Sequence, residues 1–472
     1  MVFSMMSNTV NQEATPIEQA NGAGAAGAPT DVVMLSVDPG NSHKGFAAAR
    51  AKGAVVTVTF EKQSEGGGEG GSEGGSDGDS DGDGEETSEF RSFFEGEHLF
   101  VARYDEVLSS LLDNRFSADP HTAMTPEQRE KLPSVPEEFR PLQESLISMD
   151  PPDHTRLRKL IQPSFSVRVM EAMRPRIQKI TDDLLDEAER AAEARGETRP
   201  HRRMDLIEAF AYPMPVTVIS DMLGIPREDR EQVKGWTENL LRVDARRSGR
   251  MAKETRAKVR QFTDYLRDLF EAKRRNPAED MITQLLKAEE DGDKLNEGEV
   301  LSTVFILYIA GHVTTVNLVG NGVFALLSHP AELAKLRADL GLAKGVVEET
   351  LRYWGPVDLI GRRIAKEDLD LGGAHIPKGE PIMVGLASAN RDPARFTNPD
   401  TFDITRADAD RHVAFGKGIH LCVGAPLARV EGQIAFETLF RRFPEMRLAV
   451  PAEEVRWSKS FLRGFANLPV LF

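Results

Sequence analysis

The stretch from Val304 to Leu327, VFILYIAGHVTTVNLVGNGVFALL, is apolar around nearly the whole circumference of a helix. A surface helix carries one apolar stripe, so a helix apolar all round belongs inside a protein. Asn296 followed by Glu299 has the pattern of a capping box at its start, and Ser328 before Pro330 marks its end. The helix so delimited has roughly 30 residues and is about 50 Å long at 1.5 Å per residue. Its longest apolar run, Val300 to Gly311, is too short to cross a bilayer and is broken by Ser302, Thr303 and Tyr308. The helix is therefore expected at the centre of one large globular core. A chain of 472 residues, 40% of them hydrophobic, is long enough to build that core.

The rest of the chain is read around this helix. Asp153 can cap a helix through HTRLRKLI, and Met170 to Ala194 keeps a helical apolar period. Further helices are expected at Pro330 to Leu340, at Lys344 to Tyr353, and from Ala425 onward. Short strands with turns at Gly372-Gly373 and Pro377-Lys378-Gly379 separate the last two. Upstream, GAVVTVTF (Gly53 to Phe60) and HLFVA (His98 to Ala102) read as strands, followed by a helix over Tyr104 to Leu112. Every residue from Ser64 to Glu89 is Gly, Ser, Thr, Asp or Glu, with ten acids and no base, so this block cannot bury apolar surface. The two strands are then a hairpin with a lengthened connection, which costs little because loop-closure entropy grows logarithmically. A Gly66, Gly68, Gly71 G-x-G-x-x-G in that block is a linker and not a nucleotide site, since its acids repel phosphate and no helix follows. The fold class expected is mainly α with small β-sheets (α+β). Residues 1–35 form a disordered tail, and 36–472 a single catalytic domain interrupted at 64–89.

Composition excludes several partners. A net charge of -16 disfavours nucleic acid and anionic membranes. One cysteine rules out an intramolecular disulfide and points to a reducing compartment. MVFSMMSNTVNQEATP lacks the basic and apolar regions of a signal peptide. A soluble, cytoplasmic, monomeric protein is expected.

That cysteine lies in FGKGIHLCVG, Phe415 to Gly424, after a glycine-rich loop and directly before a helix. Free backbone N–H groups, neighbouring positive charge and a metal each favour the thiolate, and this position offers the first. Zinc is disfavoured, because one cysteine and scattered histidines give no ligand spacing. The segment resembles the haem-binding loop of the cytochrome P-450 family, F-x-x-G-x-H-x-C-x-G, at every defined position, and the resemblance extends from about Ser36 to Phe472. It implies haem b (iron protoporphyrin IX) with Cys422 as iron ligand, in a loop defined by Phe415, Gly416, His420, Cys422 and Gly424. Glu349 and Arg352 match the family's E-x-x-R, and with Arg406 they imply its structural Glu-Arg-Arg cluster. His154, Arg158, Arg363 and His420 match positions that hold the haem propionates, buried carboxylates that need charge-assisted donors.

Ala310, Gly311, Thr314 and Thr315 match the family's oxygen-binding stretch, A-G-x-(acid)-T-T. The small residues let the helix pass close to the iron, and Thr314 orders proton delivery. The departure is Val313, which stands where the family has a carboxylate. His312 points about 100° away around a helix and is a poor substitute. Protons then come more slowly through water, or peroxide supplies the oxygen, or the chemistry needs no repeated proton delivery. By family position the substrate pocket is Ile306, Ile309, Leu359, Phe461 and Leu462, all apolar, so a hydrophobic small molecule is expected. The resemblance implies a monooxygenase fed from NAD(P)H by a ferredoxin or flavodoxin, docking on Arg156, Arg158, Lys159, Lys417 and Arg429. A peroxide-driven oxidase and a haem-thiolate binding protein without turnover are the alternatives.

Overall fold

The computed structural model describes residues 32–36, 38–61, 96–130, 137–139, 145–237, 248–288, 295–458, 460 and 462–472. The acidic block 64–89, with its glycine motif, lies outside the described residues, as does most of the tail. The boundary drawn at residue 35 falls too late. Strand β1 (Val33–Leu35) pairs in parallel with the following strand, Val33 opposite Val58, and Leu35 is buried.

Helix α1 (Ser42–Lys52) leads into β2 (Val55–Phe60), whose side chains alternate between buried and half-buried as a sheet with one covered face requires. β2 pairs antiparallel with β3 (His98–Val101), Val55 opposite Val101, as the two sequence runs imply. Helix α2 (Tyr104–Leu112) and β4 (Phe116–Ser117) follow. The sheet is completed by β5 (Ile360–Ala365) and β6 (Pro381–Val384), in the order β1-β2-β3-β6-β5-β4. Residues near 100 are thus joined to residues near 380, Leu99 opposite Ile382, a pairing no local pattern announces.

Helix α3 (Asp153–Ile161) forms where the sequence places it. The helical period from Met170 resolves into a short helix, Val167–Ala172, and then α4 (Arg174–Ala194). Pro175 lies in the first turn of α4, where its missing N–H costs nothing, so the break falls just before it. Helix α5 (Pro213–Leu223) packs on the central helix α6 (Glu297–Ser328). The capping box is complete: Asn296 Oδ1 accepts from the Glu299 N–H at 2.9 Å and a Glu299 carboxylate oxygen from the Asn296 N–H at 2.9 Å. By length and composition α6 could cross a membrane, yet it is buried within the largest core cluster. Helices α7 (Ala343–Trp354) and α8 (Ala425–Arg442) pack on it and on each other.

Close approach between α6 and α8 depends on Gly322, where a Cβ would stand 2.3 Å from Phe436 Cζ. We expect Gly322→Ala to destabilise the protein by about 1–3 kcal/mol through overpacking. An unchanged urea midpoint would contradict that contact.

Candidate functional site

The Cys422 loop is built on two residues in the left-handed region, Gly416 at φ 69° and Gly418 at φ 70°. A side chain at Gly418 would also meet the Leu111 carbonyl at 2.4 Å, so the loop is pinned against α2. The Cys422 N–H donates to the Phe415 carbonyl at 2.9 Å, folding the chain back so that the N–H groups of Gly424 and Ala425 face sulfur. Cys422 can be reached by water although protein atoms crowd it on all sides, so its sulfur opens on interior space and not on the outer surface. Burial raises the thiol pKa, while the Gly424 N–H, the Arg158 charge, the Ala425 N–H and Arg429 act in the opposite direction. A metal cation on sulfur adds to the second group.

Four basic side chains expected near this loop do converge there. The rings of His154 and His420 lie 4.5 Å apart, and Arg158 is close enough for its charge to act on Cys422. Both ring nitrogens of His154 and Nε2 of His420 are buried without a hydrogen-bond partner among the described residues. Burial, then the charges of Arg363 and His154, hold His420 down at about 2. Burial pulls Arg363 down to about 10, and its guanidinium donates only to the Arg362 carbonyl, at 3.2 Å. Neither Arg158 nor Arg363 has a carboxylate partner among the described residues. Asp150 acts on His154 and Arg363 only through its charge, its oxygens being taken by the Ser117 hydroxyl and the Ala118 N–H, so these donors fit a ligand that brings its own carboxylates, as a porphyrin with two propionates does.

The Glu349 cluster also forms. Arg352, fully buried, donates to both Glu349 oxygens at 2.7 and 2.8 Å and to the carbonyls of Asn390, Pro399 and Thr401. Arg406 reaches the same carboxylate at 3.2 Å, and the Asp403 N–H adds a bond at 2.8 Å. Every charge in this group is hydrogen-bonded, the condition under which a buried ion network is tolerable.

On α6, Val300 to Ile309 are all buried, and Ala310 is then exposed, with Gly311, Val313 and Thr314 half-buried. Residues 310, 313 and 314 share one helix face, which is therefore not covered by packed side chains. Gly311 packs on Ile219, 3.3 Å from where its Cβ would be. The Thr314 hydroxyl donates to the Ala310 carbonyl at 2.8 Å and Thr315 to the Gly311 carbonyl at 3.3 Å. His312 does face away: it is fully buried between Tyr308 and Tyr212, and burial lowers it to about 4.

The expected pocket residues are not all together. Ile306 lies one turn before Ala310 on α6 but is itself buried in the core. Ile309 is 1% exposed and faces the core, Leu462 is buried in the same core, and Leu359 packs against the sheet instead. Phe461 lies outside the described residues. The five-cation docking patch is also smaller than the sequence suggests: Arg156 is paired with Glu299 and Asp153, and Arg429 with Glu348.

Sequence reading missed the Glu348 network. Glu348 accepts from Arg429 at 2.6 Å and from His412 Nε2 at 3.1 Å, while His412 Nδ1 accepts the Ala414 N–H. Arg429 in turn lies 4.8 Å from the Phe415 ring centre, tying α7, the Cys422 loop and α8 together. Burial opposes ionisation of Glu348, yet the His412 and Arg429 hydrogen bonds outweigh it and hold the carboxyl at about 2. With the folded value below the ordinary 4.5, its stabilisation is present above pH 4.5 and lost as pH falls through about 2. Glu348→Gln should therefore lose on the order of 3 kcal/mol at neutral pH, and lose less on acidification than the wild type. Parallel denaturant titrations at neutral and acid pH check this, and equal losses at both would contradict it.

The chain is similar in sequence and fold to known proteins. The family model described as cytochrome P-450 matches residues 118–456. Cytochrome P-450 CYP107DY1 of Priestia megaterium is 43% identical over 379 residues, covering 78% of this chain and 88% of that protein. Cytochrome P-450 107B1 of Saccharopolyspora erythraea is 45% identical over 376 residues, with the same coverages, 78% and 88%. Among solved structures, the myxobacterial cytochrome P-450 CYP267B1 in complex with myristic acid superposes with a TM-score of 0.76 at 38% identity, over 91% of this chain and 96% of that one. The cofactor of such a chain is haem b. With its α+β architecture, its cysteine loop and relatives of this similarity, the chain belongs to the cytochrome P-450 family and is a monooxygenase.

Proposed function

We propose that this protein inserts one atom of dioxygen into a hydrophobic small molecule in the cytoplasm. Its electrons come from NAD(P)H through a separate ferredoxin or flavodoxin. The observation that carries the reading is the set of buried donors around Cys422 that no protein carboxylate satisfies. His154, Arg158, Arg363 and His420 would hold the propionates, and Cys422 would give its thiolate to the iron, the negative charge supported by the Gly424 and Ala425 N–H groups. When bound, the haem supplies dioxygen activation and oxidation of a carbon–hydrogen bond.

The chain's own residues do the rest. Gly416 and Gly418 turn the loop that presents sulfur, and the Glu349–Arg352–Arg406 cluster holds the segment leading to that loop. Ala310 and Gly311 leave room on α6, and the Thr314 hydroxyl, now given to the Ala310 carbonyl, can turn to pass a proton on the open face. Ile306, Ile309, Leu359, Phe461 and Leu462 are the apolar side chains that would line the pocket, Ile306 lying one turn before Ala310 on α6. A hydrophobic substrate agrees with that lining and with the relative solved with myristic acid. Lys159, Lys417 and Arg158 remain as the cationic face for an acidic redox partner, which makes electron transfer salt-sensitive. A monomer suffices for all of these tasks.

Val313 favours one second reading, oxidation driven by peroxide, which arrives already reduced and protonated. Product formation from a hydrophobic library, with ferredoxin, its reductase and NAD(P)H in one arm and hydrogen peroxide in the other, separates the two. Product in the first arm, declining as salt rises, is expected; product in the peroxide arm alone would overturn the proposal. Arg363→Leu should weaken haem retention by about ten- to a hundredfold, read by transfer to apomyoglobin. Unchanged retention would remove Arg363 from the propionate set.

A further inference from the structure

Arg463 directly follows Leu462, is 1% exposed, and lies where three stretches of chain meet: residues 39–43 at the start of α1, residues 354–358 between α7 and β5, and the loop near the C-terminus. Its Nε and one Nη form a two-pronged pair with Asp358 at 3.0 and 2.8 Å. The same Nη donates to the Ser42 hydroxyl oxygen at 2.6 Å, and the other to the Pro39 carbonyl and, at 3.5 Å, to His43 Nε2. Every N–H of the guanidinium is thereby used. The backbone of Arg463 is held as well: its N–H donates to the Pro356 carbonyl at 2.8 Å, and its carbonyl accepts from Asn321 Nδ2 of α6 at 3.1 Å. Asn321 Nδ2 also donates to the Trp354 carbonyl at 2.9 Å, and the Trp354 indole N–H to His43 Nε2 at 3.1 Å. Burial, then the charges of Arg463, Arg391 and Arg50, hold His43 far below the ordinary histidine range, so it is the neutral acceptor these contacts need.

A buried Arg–Asp pair is often no net source of stability, because desolvation offsets the attraction; what it can add is one arrangement in place of several. Here the arrangement concerns the neighbours of the pair. Leu359 follows Asp358 and Leu462 precedes Arg463, so one ion pair fixes the spacing of two proposed lining segments. The loop has no room to yield on the α6 side, since a Cβ at Gly464 would stand 2.0 Å from Asn317 Oδ1. Residues 39–43 are held in turn, because Gly40 packs on the Trp457 indole and Arg463 lies 5.4 Å from the centre of the same ring.

We infer that Arg463 is a specificity-determining residue that acts by position: clamped between Asp358 and residues 39–43, it keeps the segments carrying Leu359 and Leu462 from spreading and so favours slim apolar substrates over broad ones. Arg463 does not itself touch the substrate. The start of α1, far from the cysteine loop in sequence, becomes the third jaw of the clamp. The inference deepens the reading above and rests on its apolar pocket.

Imidazole and phenylimidazole test the clamp in the holoenzyme, because both bind haem iron through nitrogen and differ in the bulk they carry into the pocket. Arg463→Lys keeps the charge but cannot hold Asp358, Pro39 and Ser42 together, since an ammonium lacks the planar fork. The ratio of the Kd for phenylimidazole to that for imidazole, read from difference spectra, should fall about fivefold in this variant. A ratio within about twofold of wild type, as when both ligands weaken alike, would overturn the proposal. Hydrogen exchange followed by mass spectrometry needs neither ligand nor turnover. Amides of residues 42–46 and 360–364 should exchange about tenfold faster in Arg463→Lys, and unchanged exchange in both segments would also overturn the clamp. Should Arg463→Lys not fold, Ser42→Ala must lower the same Kd ratio by more than about twofold, and a wild-type ratio there counts against the third jaw. A wild-type protein that gives no azole spectrum with either ligand would defeat the haem-thiolate reading, and exchange alone then decides whether the clamp holds.

Discussion

A sulfur anion crowded by protein atoms has to be balanced, because burial penalises its charge, and the surroundings of Cys422 are organised around that requirement. Burial disfavours the charge; two backbone N–H groups at the start of α8 and the guanidiniums of Arg158 and Arg429 favour it. Arg429 is already paired with Glu348, while Arg158, with Arg363, has no ion-pair partner among the described residues and suits the propionates of haem b. The loop, the helix behind it and the basic residues before it therefore form one electrostatic unit, though they come from positions as far apart as His154 and Gly424.

Two buried networks keep that unit in shape, and they differ in kind. Glu349, Arg352 and Arg406 satisfy one another and the carbonyls of the segment from Asn390 to Thr401. Glu348, its neighbour on α7, points the other way, to His412 and Arg429 on either side of the cysteine loop. One pair of adjacent acids thus braces both the approach to the loop and the loop itself.

What the sequence made legible was whatever local chemistry decides. The all-round apolar character of α6, its Asn296–Glu299 cap, the strands at 55–60 and 98–101, and the glycine-rich approach to Cys422 each depend on residues a few positions apart. What it hid depends on partners far along the chain. The pairing of β3 with β6 and the capture of Arg156 by Glu299 and of Arg429 by Glu348 are set by how helices and strands stack. Pocket assignment suffered for the same reason: Ile306 and Ile309 are apolar residues of α6, and only packing shows that both are buried in the core while Ala310 is exposed.

The central claim is the bond between the sulfur of Cys422 and haem iron. X-ray absorption at the iron edge of the purified holoprotein tests it most directly. The account expects one sulfur neighbour in the wild type, replaced by oxygen or lost in Cys422→Ser. An iron surrounded only by nitrogen and oxygen in the wild type would contradict it.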